Sequence, residues 1–280
     1  NPKVIMISIS NFGQTGPYRD YKATNLTALA LGGLLYLCGR KGQPPLRLGV
    51  STAEYMAGFY SFVSALGALY YRDVTGNGQQ VDISVMESVA TLLADGTIAY
   101  SYTGAIRGPA AWKFVWGHPV DIYPTKDGYI LVMPGPGKIQ NLALLLEHPK
   151  WEDEPFFRDA TARQLRSDEF DAAYLLPWLK ERDKHEIVEQ AQELRMPFAV
   201  VEDSRDLLAD PQLEARKFFI KVEHPVTGEL IYPGAPLKMS KTPARVGRAP
   251  LLGEHNEEVY HQWLGYTKDE LVKLREGGVI

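Results

Sequence analysis

The chain has 280 residues, 45% of them hydrophobic and 23% charged, which is sufficient for the core of one large or two smaller globular units. A formal net charge of −4, with Lys and Arg scattered along the sequence, argues against nucleic acid as a partner. A single Cys excludes an internal disulfide, and no apolar run reaches the ~20 residues of a membrane helix, so we expect a cytoplasmic protein with no membrane partner.

The first predicted element is a buried strand over residues 4–10, where β-branched and apolar residues dominate. The loop NFGQTGP follows it, with Gly and Pro as breakers. Apolar residues at helical spacing then predict a helix over residues 25–37. Because the strand begins so close to Asn1, which is not an initiator Met, we expect the sequence to be part of a longer polypeptide.

The stretch PPLRLGVSTAEYMAGFYSFVSALGALYYRD predicts a long buried helix over residues 52–73. This helix ends before the turn-forming TGNGQQ, which leads into a strand over residues 81–84 and then a helix over residues 85–102. Strands that alternate with helices in this way are typical of a parallel α/β layer.

The character of the sequence changes near residue 105. RGPAAWKFVWGHP is rich in Gly, Pro and Trp and lacks periodicity, which predicts a loop that could cover a site. VDIYPTKDGYILVMPG alternates around Asp127-Gly128 and predicts a hairpin. Helical patterns that indicate a smaller α+β unit lie at residues 138–147, 168–182 and 184–195.

The last third of the sequence predicts short elements only. DSRDLLADPQLEARK predicts two helices over residues 203–217, the second started by a Pro. FFIKVEHPVTGELIY predicts two strands around a turn. Two short amphipathic helices are predicted in PLLGEHNEEVYHQWLGYTKDELVKLRE.

Glu54 stands at the start of the long apolar helix, where an ionised carboxylate rarely lacks a role. Ser51 and Glu54 fit a capping box, in which the Ser side chain accepts from the N–H three residues on and the Glu reaches back to the Ser N–H. The same helix N-terminus, with its partial positive charge, could instead hold a reactive carboxylate as an anion. Both interpretations place Glu54 in the first turn, so its position leaves them open.

Familiar motifs of nucleotide and metal chemistry are missing from the sequence. It contains no P-loop and no G-x-S-x-G elbow, and TGNGQQ lacks the G-x-G-x-x-G pattern. The six His residues lack the spacing of metal ligands, so we expect no structural metal. His118, before Pro119 in the Trp-rich loop, is either an ordinary loop residue or part of a site.

Six segments together resemble the family III CoA-transferases, the group of formyl-CoA transferase, carnitine CoA-transferase and α-methylacyl-CoA racemase. They are ISISNFGQTGPY, ALALGGLLYLCG, the stretch from PPLRLG to VMESV, YPTKDGYILV, LADPQLEARKFF and PLLGEHNEEVY. The resemblance runs in family order from about Ile9 to Tyr260. Family members usually begin with further strands of a Rossmann-like domain, which hold much of the CoA nucleotide site; that part is missing from this sequence.

The resemblance implies a nucleophile at Glu54. In these transferases an aspartate at the start of the long helix attacks the substrate, and Glu54 falls on that position. The implied activity is transfer of CoA from an acyl-CoA thioester to a carboxylic acid acceptor through a carboxylate-bound acyl-enzyme. Coenzyme A would enter as the acyl-CoA substrate, with no permanently bound cofactor. Glu in place of Asp moves the reacting oxygens by on the order of 1 Å.

Other family positions are carried over one at a time. Lys22 matches a lysine that contacts CoA in the formyl-CoA transferase branch. Thr24 and Asn25 occupy the place of a His-Asp pair in the racemase branch, and neither transfers a proton at carbon as that pair does. Gln14 and Val85 fall near the family's CoA cleft.

The Trp-rich loop takes the place of the glycine-rich loop that shields the intermediate in formyl-CoA transferase. The resemblance therefore places Trp112, Trp116 and His118 at the substrate site. The aromatic bulk of this loop suggests an acceptor different from that of formyl-CoA transferase.

The implied fold is α/β, with part of a Rossmann-like CoA-transferase large domain and a smaller α+β domain. We expect the CoA-binding and catalytic part at residues 1–105, a connecting loop at 106–120, the small domain at 121–225 and a C-terminal return to the large domain at 226–280. The family also implies an interlocked homodimer, or an assembly with the missing N-terminal segment or another family subunit. Two alternatives stay open: a catalytically altered or inactive member that acts as a subunit or partner, and an acyl-CoA racemase or isomerase.

Overall fold

The computed structural model describes residues 1–40, 42–93, 95–109, 117–148, 150 and 153–280. The chain forms two compact units, Asn1–Val200 and Val201–Ile280. The first unit contains two separate hydrophobic clusters, one built from residues 7–89 and the other from residues 123–198. The finer division into four segments stays a prediction.

The first cluster surrounds a parallel pair of strands. Its elements are β1 (Met6–Ser10), α1 (Asn25–Leu31), a 3₁₀ turn (Leu34–Leu37), α2 (Thr52–Thr75), β2 (Gln80–Ser84), α3 (Val85–Ala90), a 3₁₀ turn (Thr91–Leu93) and α4 (Asp95–Thr103). β1 and β2 run parallel, from Met6 opposite Gln80 to Ser10 opposite Ser84. Parallel strands need a long crossover, which α1 and α2 supply. The predicted parallel pairing is therefore confirmed.

Glycines end α1 earlier than the periodicity predicts. Gly33 has φ of 84°, a conformation that favours glycine, and the chain leaves the helix there. A Cβ added to Gly32 would lie only 2.6 Å from Val89 Cγ1. Glycine at this position therefore lets α1 pack closely against α3, and the predicted helix over residues 25–37 becomes a helix and a separate turn.

The long helix α2 is buried only along its small residues, so the prediction of a buried helix is wrong for its large ones. The buried residues are Ala53, Ala57, Ser61 and Ala68. Large apolar side chains form an exposed stripe at helical spacing, here called the α2 stripe: Tyr55, Phe59, Phe62, Val63, Leu66 and Tyr70. Small residues let α2 lie close to the rest of the first cluster, while the α2 stripe stays uncovered by the described residues.

The second cluster joins an antiparallel sheet to short helices. The strands are β3 (Asp121–Pro124), β4 (Tyr129–Val132) and β5 (Ala199–Val200), in that order in the sheet. The helices are Ile139–Leu145, Pro155–Arg158, Ala160–Leu165, Ser167–Phe170, Leu176–Lys180 and Lys184–Glu193. The hairpin around Asp127-Gly128 is confirmed, with the Thr125 N–H donating to the Gly128 carbonyl at 2.9 Å.

The predicted helix over residues 168–182 is divided by a π-helical turn at Asp171–Leu175. Pro177 follows this turn and lacks the N–H that a continuous α-helix would use. Single π-helical turns inside helices are frequent at functional sites. Asp171, at the start of the turn, contacts His118 and Tyr123.

The second unit consists of helices Ser204–Ala209 and Pro211–Ala215, strands β6 (Phe219–His224) and β7 (Gly228–Pro233), a π-helical segment Glu257–Trp263 and helix Lys268–Glu276. The strands pair antiparallel, with Phe219 opposite Pro233, as predicted. Within the part of the chain that the structure describes, no helix has the length and apolarity needed to cross a bilayer.

Phe170 should be a main support of the second cluster. Its side chain is fully buried, and its ring lies 5.3 Å from the rings of both Phe157 and Tyr174. We expect Phe170→Ala to lower the free energy of unfolding by about 3–5 kcal/mol because it leaves a cavity. Leu165→Ala, at a position that is 79% exposed, should change it by less than about 0.5 kcal/mol. Urea denaturation of both variants tests this, and equal losses would contradict the assignment.

Candidate active site

The start of α2 is held by a side chain from a distant part of the sequence. The Asn25 Oδ1 accepts from the Ala53 N–H at 3.1 Å, and its Nδ2 donates to the Val50 carbonyl at 3.1 Å. Asn25 is itself the first residue of α1, and the Thr24 hydroxyl caps that helix by accepting from the Thr27 N–H at 3.4 Å. The two helix starts are thereby joined through one amide.

The predicted capping box at Ser51 and Glu54 is wrong. Ser51 has φ of −76° and ψ of 55°, outside the extended conformation of a typical N-cap, and its side chain makes no capping hydrogen bond. Asn25 satisfies the backbone at this helix start instead. The local sequence pattern could not reveal this, because Asn25 lies 28 positions before Ala53.

Glu54 lies in the first turn of α2 with an exposed side chain. Its carboxylate has no hydrogen bond or ion pair with any residue that the structure describes. Since it does not serve as a cap, both oxygens can approach a ligand. The first turn of this 24-residue helix lies at the partial positive end of the helix dipole. An accessible anionic carboxylate is suited to attack an electrophilic carbonyl carbon.

Two other predicted positions follow the carboxyl ends of β1 and β2. The Gln14 N–H donates to Asp82 Oδ2 at 2.9 Å, which ties the loop after β1 to β2. Val85 is buried and begins α3 directly after β2. The Met86 N–H also donates to the Asn11 carbonyl, at 3.0 Å. Ligands of open α/β sheets commonly bind beyond the carboxyl ends of parallel strands, and the Gln14 loop and the start of α3 lie at this edge.

Lys22 is exposed and lies between the loop after β1 and the start of α1. In the structure's described part, no hydrogen bond or ion pair joins Lys22 or the Gln14 side chain to Glu54. Of Gln14, Lys22 and Asn25, it is Asn25 whose side chain the described structure shows hydrogen-bonded to the backbone next to Glu54.

Sequence reasoning missed an aromatic group in the loop after β1. The Tyr18 and Tyr21 rings stack at 4.8 Å, and both meet the buried Phe12 edge-on. The spacing of these three aromatic residues in the sequence follows neither a helical nor a strand period, so it did not indicate that they pack together. This group fixes the conformation of the loop that carries Gln14.

His118 is packed into the second cluster. Its Nε2 lies 2.8 Å from Asp171 Oδ1, and its ring meets Phe170 edge-on at 5.4 Å. The Tyr123 hydroxyl donates to both Asp171 oxygens at 3.1 Å. Burial, reinforced by the Asp171 carboxylate, raises the pKa of the Tyr123 hydroxyl well above its usual range, so the hydroxyl stays a donor. His118 is therefore a buried residue of a loop, and its expected place at the substrate site stays a prediction.

Trp112 and Trp116 lie outside the described residues, so their expected place at the substrate site stays a prediction. Among the described residues, no group of three or more His, Cys, Asp or Glu side chains could hold a metal ion.

The sequence matches CoA-transferase family III over residues 1–256. Because the match spans most of the sequence, the chain belongs to CoA-transferase family III, and the resemblance is confirmed. Similarity to a solved structure agrees with the α/β fold: a CAIB/BAIF family protein from Brucella suis superimposes with a TM-score of 0.83 at 25% identity, over 94% of this chain and 68% of that one.

The curated relatives that are similar along the whole chain include two whose names state both substrates. Succinyl-CoA–D-citramalate CoA-transferase from Chloroflexus aurantiacus is 32% identical, over 100% of this chain and 70% of that protein. Formyl-CoA:oxalate CoA-transferase from Streptomyces avermitilis is 31% identical, over 100% of this chain and 72% of that protein. Both names pair a CoA thioester with a carboxylic acid, which supports CoA transfer as the general chemistry.

The Asn25 amide, rather than Ser51, should determine the order of the α2 start. We expect Asn25→Ala to speed amide hydrogen exchange around Ala53 by about tenfold, because a cap is worth about 1 kcal/mol or more. Ser51→Ala should leave exchange there unchanged, since Ser51 makes no capping bond. Hydrogen-exchange mass spectrometry of both variants provides the measurement. A larger effect of Ser51→Ala than of Asn25→Ala would restore the capping-box interpretation.

Proposed function

We propose that this protein moves CoA from an acyl-CoA thioester to a small carboxylic acid, with the Glu54 carboxylate as covalent nucleophile. The observation that carries the proposal is the state of Glu54: exposed, unpaired among the described residues, and in the first turn of a long helix whose start is held by Asn25. A carboxylate that formed a cap or an ion pair would be occupied. Family membership supplies the reaction class.

The exchange proceeds by acyl substitution without net proton transfer. A Glu54 oxygen attacks the thioester carbonyl carbon, the C–S bond breaks, and CoA leaves as a thiolate beside a mixed anhydride. The thiolate then attacks the Glu54 carbonyl carbon, which gives an enzyme thioester and releases the donor carboxylate. The acceptor carboxylate attacks the carbonyl carbon of this thioester, the C–S bond breaks, and CoA leaves again as a thiolate beside a second mixed anhydride. Attack of this thiolate on the acceptor carbonyl carbon yields the new acyl-CoA and releases the Glu54 carboxylate.

The groups around the proposed nucleophile do not support a racemase. The Thr24 hydroxyl accepts from the Thr27 N–H, and both polar atoms of the Asn25 amide are engaged by the α2 start. Neither side chain is an acid or base near neutral pH. Proton abstraction next to a carbonyl therefore has no agent at the two positions where the racemase branch has one.

We further propose that the loop after β1 and the start of α3 border the CoA cleft, with Gln14, Lys22 and Val85 near the substrate. Support comes from their location at the carboxyl edge of the parallel strands and at the adjoining loop. Trp112, Trp116 and His118 are proposed to lie over the acceptor. A closing loop would keep water from the anhydride.

A homodimer remains part of the proposal. The α2 stripe supports it, because contiguous exposed apolar side chains of this size commonly mark an interface between proteins. From family membership we also propose a Rossmann-like large domain and the division of the chain into segments 1–105, 106–120, 121–225 and 226–280.

Glu54→Gln should abolish transfer, because an amide cannot form the anhydride. The assay measures CoA transfer with succinyl-CoA or formyl-CoA as donor and D-citramalate or oxalate as acceptor, the substrates in the relatives' names. Glu54→Asp keeps the carboxylate, so we expect it to retain transfer with a rate within about 10²-fold of wild type. Glu186→Gln is the matched control, because Glu186 is also an exposed carboxylate in the first turn of a helix and lies outside the proposed cleft.

Transfer by Glu54→Gln at the wild-type rate would exclude Glu54 as nucleophile. If the wild type transfers nothing from any of these donors while Glu54→Asp does, the altered or inactive family member becomes the better account. Loss of transfer in Glu186→Gln as well would indicate a general effect of charge rather than a nucleophile.

A further inference from the structure

We propose that a cationic cavity in the second cluster is a binding site for a small, multiply charged oxyanion, separate from Glu54. The cavity has a volume of about 340 Å³ and is lined by residues between 117 and 163, including Lys138, Arg158 and Arg163. Its size is at the lower end for ligand sites, which suits a phosphate group or a small dicarboxylate. This inference does not depend on the proposed acyl transfer.

Arg163 is the fixed part of the site. The residue is 8% exposed; its Nε donates to the His118 carbonyl at 2.8 Å and its Nη1 to the Phe156 carbonyl at 2.6 Å. Its Nη2 has no hydrogen-bond partner among the described residues. Burial lowers the pKa of Arg163, and the nearby Asp159 partly offsets this. The guanidinium is thus a buried cation held in place by neutral carbonyls, with one nitrogen available.

No acidic side chain among the described residues forms an ion pair with Arg163. The Asp159 carboxylate acts on its charge, but this carboxylate accepts from the Thr161 N–H at 2.8 Å. Burial of a cation without an anionic partner is unfavourable. An anion that enters the cavity therefore binds more favourably to Arg163 than it would to an exposed Arg.

Two further cations add to the charge of the cavity. Lys138 is half-buried and Arg158 is exposed, and neither has an ion pair with the residues that the structure describes. Arg158 also borders a neighbouring cavity with Asp153 and Asp159, so it is shared between the two. Among the described lining residues there are three cations, Lys138, Arg158 and Arg163, and no carboxylate, which favours a ligand with more than one negative charge.

The loop Pro134-Gly135-Pro136-Gly137 shapes the cavity beside Lys138. Gly135 and Gly137 have φ of 85° and 67°, conformations in which other residues are strained. The prolines restrict the remaining backbone freedom. The lining is therefore formed before a ligand arrives, which lowers the entropy lost on binding.

Titration calorimetry of the full chain with sodium phosphate, and separately with sodium succinate, tests the site. We expect saturable binding of at least one of them, weakened by added NaCl because it is electrostatic. Lys138→Gln and Arg158→Gln should each weaken binding by about tenfold, as expected for one charge-assisted hydrogen bond. Lys180→Gln, an exposed lysine outside the cavity, should bind as wild type. Glu54→Gln should also bind as wild type, which separates this site from acyl transfer.

The two anions distinguish the source of the oxyanion: tighter phosphate binding assigns a phosphate ligand, and tighter succinate binding assigns a dicarboxylate. The thermal unfolding midpoint of each variant, measured without anion, shows whether a loss of binding comes from a loss of folding. If Lys138→Gln lowers this midpoint, the binding affinity of Arg158→Gln decides the test. The proposal is overturned if the wild type binds neither anion, if the deciding variant binds as wild type, or if Lys180→Gln weakens binding equally.

Discussion

The Asn25 side-chain amide joins the starts of α1 and α2, and the position of Glu54 depends on this contact. One amide provides both an acceptor for the Ala53 N–H and a donor to the Val50 carbonyl. Because the backbone of the helix start is satisfied from outside, no residue of the first turn has to cap it. Glu54 is therefore left in a helix terminus that favours an anion, without a structural task among the described residues.

Glu54 and Asp171 show how the environment separates two kinds of carboxylate. Asp171 is mostly buried and is bound by the His118 imidazole and the Tyr123 hydroxyl, so its oxygens serve the packing of the second cluster. The Glu54 carboxylate is exposed and unpaired in the part of the chain that is described. Only the second state leaves electron pairs for an incoming carbonyl carbon, which is why the proposed chemistry is assigned to Glu54.

Periodicity predicted the elements well, because burial of apolar residues determines them locally. The alternation of strands with helices predicted the parallel pairing of β1 and β2, and the alternation around the Asp127-Gly128 turn predicted the hairpin. The ends of the helices could not be predicted from the local sequence. The end of α1, for example, depends on the close approach of Gly32 to Val89, which is a matter of packing between helices. The capping box at Ser51 failed for a related reason, since the actual cap comes from a residue that is distant in sequence.

Some site residues could likewise be predicted from the local sequence, and others could not. The family position of Glu54 was readable because it is local to one helix start, and its exposure agrees with a reactive role. The burial of His118 against Asp171 was not readable, since the two residues are 53 positions apart. The cationic cavity also escaped sequence reasoning, because Lys138, Arg158 and Arg163 show no common spacing and converge only through the fold.

The most direct test of the account is chemical identification of the acyl-enzyme. The protein is incubated with an acyl-CoA donor and then with hydroxylamine, and the tryptic peptide of residues 48–72, which contains Glu54, is analysed by mass spectrometry. A Glu54 thioester or anhydride would be converted to a hydroxamate, while a free carboxylate would not react. The account predicts a hydroxamate at Glu54 only when acyl-CoA is present. A hydroxamate on a different carboxylate, or active transfer with Glu54 unmodified, would contradict it.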